Sequence, residues 1–216
     1  MKTRLLVAAL AATFATPAMA EENRLEGWFE GSVVAKLDKK SFVEFETQQR
    51  ARGSSNPIGD NQTYRVWLGT KVGKTTLTGG IHRSKEGSTK ETRLMQQASY
   101  PLGIAGLKGR TRLEQRFIDG ADKTGWRLRQ RVGVGVPLSR EDGGWEFVAT
   151  AEGFLTLRAT SNGGQTGLTG LRTFLGMERS IGKLDLSVGY TRQQNIRENA
   201  PDRVGHAPTL GLTFNL

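Results

Sequence analysis

Leu107 to Phe117 reads LKGRTRLEQRF and places a long charged side chain at every second position. Lys108, Arg110, Arg112, Glu114 and Arg116 share one parity, whereas Leu107, Gly109, Thr111, Leu113, Gln115 and Phe117 share the other. A helix would spread those charges around its circumference, but successive side chains of a strand point to opposite faces. The stretch is therefore a strand with one ionic face and one apolar face. The fold turns on which of the two faces meets water.

The same alternation recurs along the chain. In WRLRQRVGVGVPL, Trp126, Leu128, Val132, Val134, Val136 and Leu138 oppose Arg127, Arg129, Arg131, Gly133 and Gly135. SFVEFETQQRAR sets Val43, Phe45 and Thr47 against Glu44, Glu46, Gln48, Arg50 and Arg52, and WEFVATAEGFLTLR sets its apolar residues against Glu146, Thr150, Glu152 and Arg158. LRTFLGMERSI opposes Leu171, Leu175 and Met177 to Arg172, Gly176 and Glu178, and the chain closes on TLGLTFNL. With the remaining segments this gives about eleven candidate strands and no helix.

Connections alternate in kind. Tight ones fall at Asp38-Lys39-Lys40, Gly73-Lys74, Gly103 to Ala105, Ser139 to Gly144 and Gly182-Lys183, and longer polar ones at GSSNPIGDN, SKEGSTKE, DGADKTG, SNGGQTG and IRENAPDR. Outer-membrane barrels have short periplasmic turns and longer extracellular loops, and bacterial single-chain barrels have even strand numbers. Eleven is odd, so the expected count is ten to twelve.

The first twenty residues carry Lys2 and Arg4, an apolar run from Leu5 and the small-residue site Ala18-Met19-Ala20, the pattern of a secretory signal peptide cleaved near Ala20. Residues 21–216 are then expected to form one barrel domain. Loss of Lys2 and Arg4 lowers the net charge from +10 to +8. The absence of cysteine excludes disulfides, thiol catalysis and thiolate metal sites. A basic exported chain whose charges alternate with apolar residues, rather than gathering in a patch, does not read as a nucleic-acid binder. Beyond residue 20 no run approaches the roughly 20 apolar residues of a membrane-spanning helix, a pattern that leaves a membrane barrel open because lipid-facing and lumen-facing residues alternate.

A soluble barrel or sandwich is the competing fold, with the apolar face as its core; the many Ala, Gly and Thr on that face suit lipid and are thin for a core. Thr209, Gly211, Phe214 and Leu216 resemble the C-terminal signal read by the outer-membrane assembly machinery, although Leu216 stands where phenylalanine is usual. RTRLEQRF, RLRQRVGVGVPL, AEGFLTLR, LRTFLGMERSIGKLDLSVGYTRQQ and HAPTLGLTFNL together resemble an uncharacterised domain-of-unknown-function family of bacterial outer-membrane β-barrels. That resemblance implies fold and location and lends no activity. Outer-membrane lipid and, during biogenesis, the assembly machinery are the partners it implies.

If lipid lies outside, Lys108, Arg110, Arg112, Arg116, Arg127, Arg129 and Arg131 form a basic wall of the lumen. Their acidic partners would be Glu44, Glu46, Glu114, Glu146, Glu152 and Glu178. One reading is a salt-bridged plug, since small barrels fill their interiors with side chains and buried charges must pair. Another uses the excess of Arg over Glu: a narrow channel preferring small anionic solutes. An enzyme is not expected: His82, with Ser84 and Ser88 nearby, and His206 at the start of the last strand show no triad spacing or nucleophile elbow. GTKVGKTT lacks the P-loop spacing, GVGVP is a strand rather than a dinucleotide fingerprint, and neither a metal nor another cofactor is expected.

Overall fold

The computed structural model describes residues 21–53, 59–104, 106–139 and 143–216. The expected signal peptide thus lies outside the described residues, as does part of three connections. The described chain is all β: β1 Glu21–Lys36, β2 Ser41–Arg52, β3 Asn61–Val72, β4 Thr75–Glu86, β5 Thr89–Pro101, β6 Leu107–Ile118, β7 Gly125–Pro137, β8 Glu146–Arg158, β9 Gly167–Ile181, β10 Leu184–Asn195 and β11 Asp202–Asn215. Each strand pairs with its sequence neighbours, and β1 pairs with β11, so the sheet closes into a barrel without a free edge.

The strand count is eleven, and the closure is not uniformly antiparallel. With an odd number of alternating strands the first and last run the same way, so the seam joining them is parallel, in register from Glu21 opposite Asp202 to Val34 opposite Asn215. All other neighbouring pairs are antiparallel. β1 thus starts at the rim where β11 starts, and Leu216 lies at the other, here called the C-terminal rim.

Connection length does not sort cleanly by rim. The C-terminal rim carries the two-residue turns Gly73-Lys74 and Gly182-Lys183, but also the eight-residue connection 138–145, which the sequence had suggested was tight. At the opposite rim, SKEGSTKE is not a long loop: β4 runs to Glu86, β5 starts at Thr89, and only Gly87-Ser88 connects them. Gly73, Gly87 and Gly182 have φ of 61°, 58° and 60°, and no non-glycine residue has positive φ among the described residues. A glycine with positive φ at the first loop position is what a type II′ hairpin turn requires.

The period of two carries through to burial. Trp28, Trp67, Met95 and Phe154 are buried inside together with Arg112, Glu114, Arg129 and Glu152. Phe29, Phe45, Val66, Leu68, Ile81, Leu94, Leu155, Val188 and Leu212 are exposed on the outside. The inner wall uses glycine where a ring must lie flat: a methyl at Gly80 would sit 2.4 Å from Cε3 of Trp67 and 2.7 Å from the Val66 carbonyl.

Candidate functional site: the charged lumen

The register of β6 on β7 sets Arg110 opposite Arg131 and Arg112 opposite Arg129, with Glu114 opposite Arg127. Like charges directly across a ladder repel, so those arginine pairs persist only if carboxylates reach between them. Two do. Glu114, with no solvent-exposed side-chain surface, accepts from Arg127 Nε and Nη2 at 2.9 and 2.6 Å and from Arg129 Nη1 at 3.0 Å. Glu152 accepts from Arg129 Nε and Nη2 at 3.2 and 2.6 Å and from Arg110 Nη2 at 2.6 Å. Arg129, on β7, therefore bridges two carboxylates carried by the strands on either side of it.

Around this centre the other guanidinium groups are held by rings and amides. Arg112 donates from Nε and Nη2 to Gln97 Oε1 at 2.8 and 2.6 Å and lies 4.7 Å from the centroid of Trp67. Arg129 lies 4.6 Å from the Phe154 ring, and Arg127 lies 5.3 Å from it. The indole N–H of Trp67 donates to Glu46 Oε2 at 3.0 Å, and Arg65 pairs with the same carboxylate. Planar guanidinium groups suit both partners, forking onto carboxylates and stacking on aromatic faces.

Of the residues the sequence singled out, Arg110, Arg112, Arg116, Arg127 and Arg129 come together with Glu46, Glu114 and Glu152 inside the barrel, Arg116 through Glu91 rather than through any of the expected acids. Five depart from the expected pairing. Lys108 and Arg131 make no ion pair within 4.0 Å among the described residues, and neither do Glu44, Glu146 or Glu178. Those three glutamates, with Glu30, line a cavity of 780 Å³ that opens toward the C-terminal rim; Arg110 and Arg112 line it too, but neither comes within 4.0 Å of the three carboxylates. Above it lie a 390 Å³ cavity at mid-height and a 220 Å³ cavity toward the opposite rim.

Among the described residues five acids that hold arginines were not among the candidates: Glu22, Glu26, Glu86, Glu91 and Asp119. Glu91 accepts from Arg116 Nε at 2.6 Å and from Arg93 Nη2 at 2.6 Å. Arg52 joins Glu26 at 2.8 Å to Glu86 at 2.7 Å. Reading Glu86 to Thr89 as a two-residue turn extends the period of two through Glu86 and Glu91, and puts both on the parity of Ser84 and Arg93. The signal was present in Gly87.

The histidines sit in different settings. His82 is buried in the lumen, where its Nδ1 accepts from Arg65 Nε at 3.1 Å, with Ser84 buried beyond it on the same face. His206 is on the outer face, five residues into β11, between the Tyr190 hydroxyl and Asn23 Oδ1, the latter 2.8 Å from its Nε2. Neither has a carboxylate among these partners. Among the described residues no group of three or more His, Asp or Glu could hold a metal ion. In the C-terminal segment Thr209 faces inward, its hydroxyl 2.9 Å from that of Thr191, whereas Phe214 and Leu216 are exposed outside.

A closed eleven-strand barrel with a parallel seam, apolar outside and cross-braced inside by arginine and glutamate, is the class of protein these observations define. The chain belongs to the family described as "Protein of unknown function (DUF2490)", which matches residues 25–204. It is also similar to an uncharacterized protein of Methylorubrum extorquens strain AM1, at 30% identity over 135 residues. That match covers 61% of this chain and 59% of the relative. No solved structure matches the chain.

Proposed function

We propose that this protein is an integral outer-membrane β-barrel whose lumen is braced shut between the mid-height chamber and the chamber toward the rim where β1 starts, so that it acts through its rims and blind chambers rather than by passing solutes. The observation that carries the membrane part is inverted polarity: the charges are inside, and large apolar side chains such as Leu68, Ile81 and Val66 are 60%, 56% and 51% exposed outside. A contiguous apolar exterior on this scale is a surface for lipid or partners. The polar groups on that exterior support the same reading because they satisfy one another. Tyr100 O–H lies 2.9 Å from Thr111 Oγ1, Thr111 donates to Gln130 Oε1 at 2.7 Å, and Gln130 Nε2 donates back to Tyr100 at 3.2 Å. Such closure is what a medium without hydrogen-bond partners demands.

For the lumen, the carrying observation is Glu114 with no solvent exposure between Arg127 and Arg129. Hydrogen-bonded guanidinium–carboxylate pairs from several strands form a brace, and arginine does not shed its proton to loosen it. The second reading, a narrow anion-preferring channel, is favoured by Arg131 and Lys108, which line the mid-height cavity without a carboxylate partner within 4.0 Å. The C-terminal rim, with the Gly73-Lys74 and Gly182-Lys183 turns, would then face the periplasm, and Thr209, Gly211, Phe214 and Leu216 would serve assembly.

Planar-bilayer recording of the refolded, heat-modifiable protein under a KCl gradient separates the two. A closed lumen gives no steady conductance. Steady conductance with an anion-selective reversal potential, reduced in Arg110→Gln and Arg129→Gln, would replace the brace with the channel.

A further inference from the structure

The 220 Å³ chamber toward the rim where β1 starts is lined by eight arginines and only two carboxylates, Glu86 and Glu91. Six of those arginines reach a carboxylate within 4.0 Å, some of them outside the chamber lining. Among the described residues, Arg50 and Arg172 do not. Arg50 donates to Gln48 Oε1 at 3.2 and 3.0 Å, and Arg172 to Gln193 Oε1 at 2.7 Å. Both stack on the Trp28 ring, 4.0 and 5.0 Å from its centroid. Two permanent cations thus share one indole, and Trp28 directs its own N–H away to Glu26 at 2.8 Å.

His82 supplies an independent pointer to the missing charge. Its Nδ1 accepts the Arg65 Nε proton, so that nitrogen carries a lone pair, and the proton of the neutral ring sits on Nε2. Nε2 is buried with no hydrogen-bond partner among the described residues, in a residue that is 2% exposed and lines this chamber. Arg93 Nε, on the same lining, is likewise buried and unpartnered. Every unmet group here is a donor. Buried donors without acceptors and cations without counter-charge are both unfavourable, and a single ligand relieves both if it is an anion rich in acceptor oxygens.

We propose that this chamber is a binding site for a small oxyanion, phosphate being the type, held between Arg50 and Arg172 and by the His82 Nε2 proton. The chamber is much larger than the roughly 30 Å³ of one water, and guanidinium groups match phosphate oxygens by forked hydrogen bonds. The site is inside the barrel and does not depend on whether the lumen conducts.

Inorganic phosphate titrated calorimetrically into the refolded full chain, at ionic strength held constant with NaCl, tests the assignment. Saturable one-to-one binding is expected, weakened at least about tenfold in Arg50→Gln and in Arg172→Gln. No saturable heat, or affinity unchanged in both variants, overturns the site. Should a lumen variant fail to fold, His206→Gln leaves the lumen intact and His82 as the single histidine of the described chain. In its spectrum the Nε2 proton must shift with phosphate and not with chloride at equal ionic strength. A proton that responds to neither would mean water alone occupies the chamber. Calorimetry reads binding and bilayer recording reads flux, so failure of this site and failure of the closed-lumen reading are separate results.

Discussion

Replacing Glu114 with glutamine would leave Arg127 and Arg129 facing a neutral amide with no exposed surface on that side chain. Breaking a buried pair by removing one partner costs about 3–5 kcal/mol, because the remaining charge stays in a poorly solvated place. The expected outcome is a lower denaturant midpoint for the heat-modifiable form of Glu114→Gln. Arg131→Gln, which removes a cation with no carboxylate within 4.0 Å, should move the midpoint far less. If the two shifts are equal, the centre is not the brace described above. A second titration lies outside the strands. Asp38 Oδ1 accepts the Lys40 and Ser41 backbone N–H groups at 2.7 and 2.8 Å, which holds its carboxyl below the ordinary aspartate value of 3.8. A depressed carboxyl contributes order that is present above its unfolded pKa and is lost as pH falls through the folded one. The Lys40 and Ser41 amide resonances should therefore move together on acidification with a midpoint below 3.8, and Asp38→Asn should remove that transition.

Strand identity was legible because side-chain parity is a local property: a charge at every second position states a face wherever the strand ends up. Arg127, Arg129 and Arg131 could be assigned to one face from their spacing alone, and inward once lipid was taken to lie outside. Pairing partners were not legible, because they depend on stagger between strands, which no single strand encodes. Glu44, Glu146 and Glu178 have the right parity, yet they share a cavity with Arg110 and Arg112 without coming within 4.0 Å of either. The strand count stayed at ten to twelve for a related reason. Antiparallel closure is a rule about whole barrels, whereas β1 reads like any other strand and simply runs parallel to β11. That seam has a direct test, since the chain has no cysteine. Phe29 and Leu210 are register partners across it. Cysteines at those two positions should form a disulfide in the refolded protein, because laterally paired strands bring Cα atoms within the roughly 4.4–6.8 Å a disulfide needs. Phe29→Cys with Leu216→Cys, six residues further along, should remain reduced. The opposite result would mean that β1 closes the barrel in another register.

A barrel with charge inside and oil outside has to be judged with its solvent, because the same side chain changes value with the medium it faces. Val66, near the centre of β3 and half-exposed on the outer face, is where the two media differ most. If that face meets water, Val66→Lys places a charge at a surface position and should change stability by no more than about 0.5 kcal/mol. If it meets hydrocarbon, a lysine near the bilayer midplane is unfavourable by about 2–4 kcal/mol, falling toward zero near the interfaces. The proposed setting therefore predicts a large loss for Val66→Lys and a small one for Val72→Lys, at the strand end beside the Gly73 turn, when both are unfolded from lipid vesicles. Equal and small losses at the two positions would remove the hydrocarbon from the outer face, and with it the outer-membrane reading. The arginine–glutamate brace would survive that outcome, since Glu114 is shielded by the barrel's own wall whichever solvent lies beyond it.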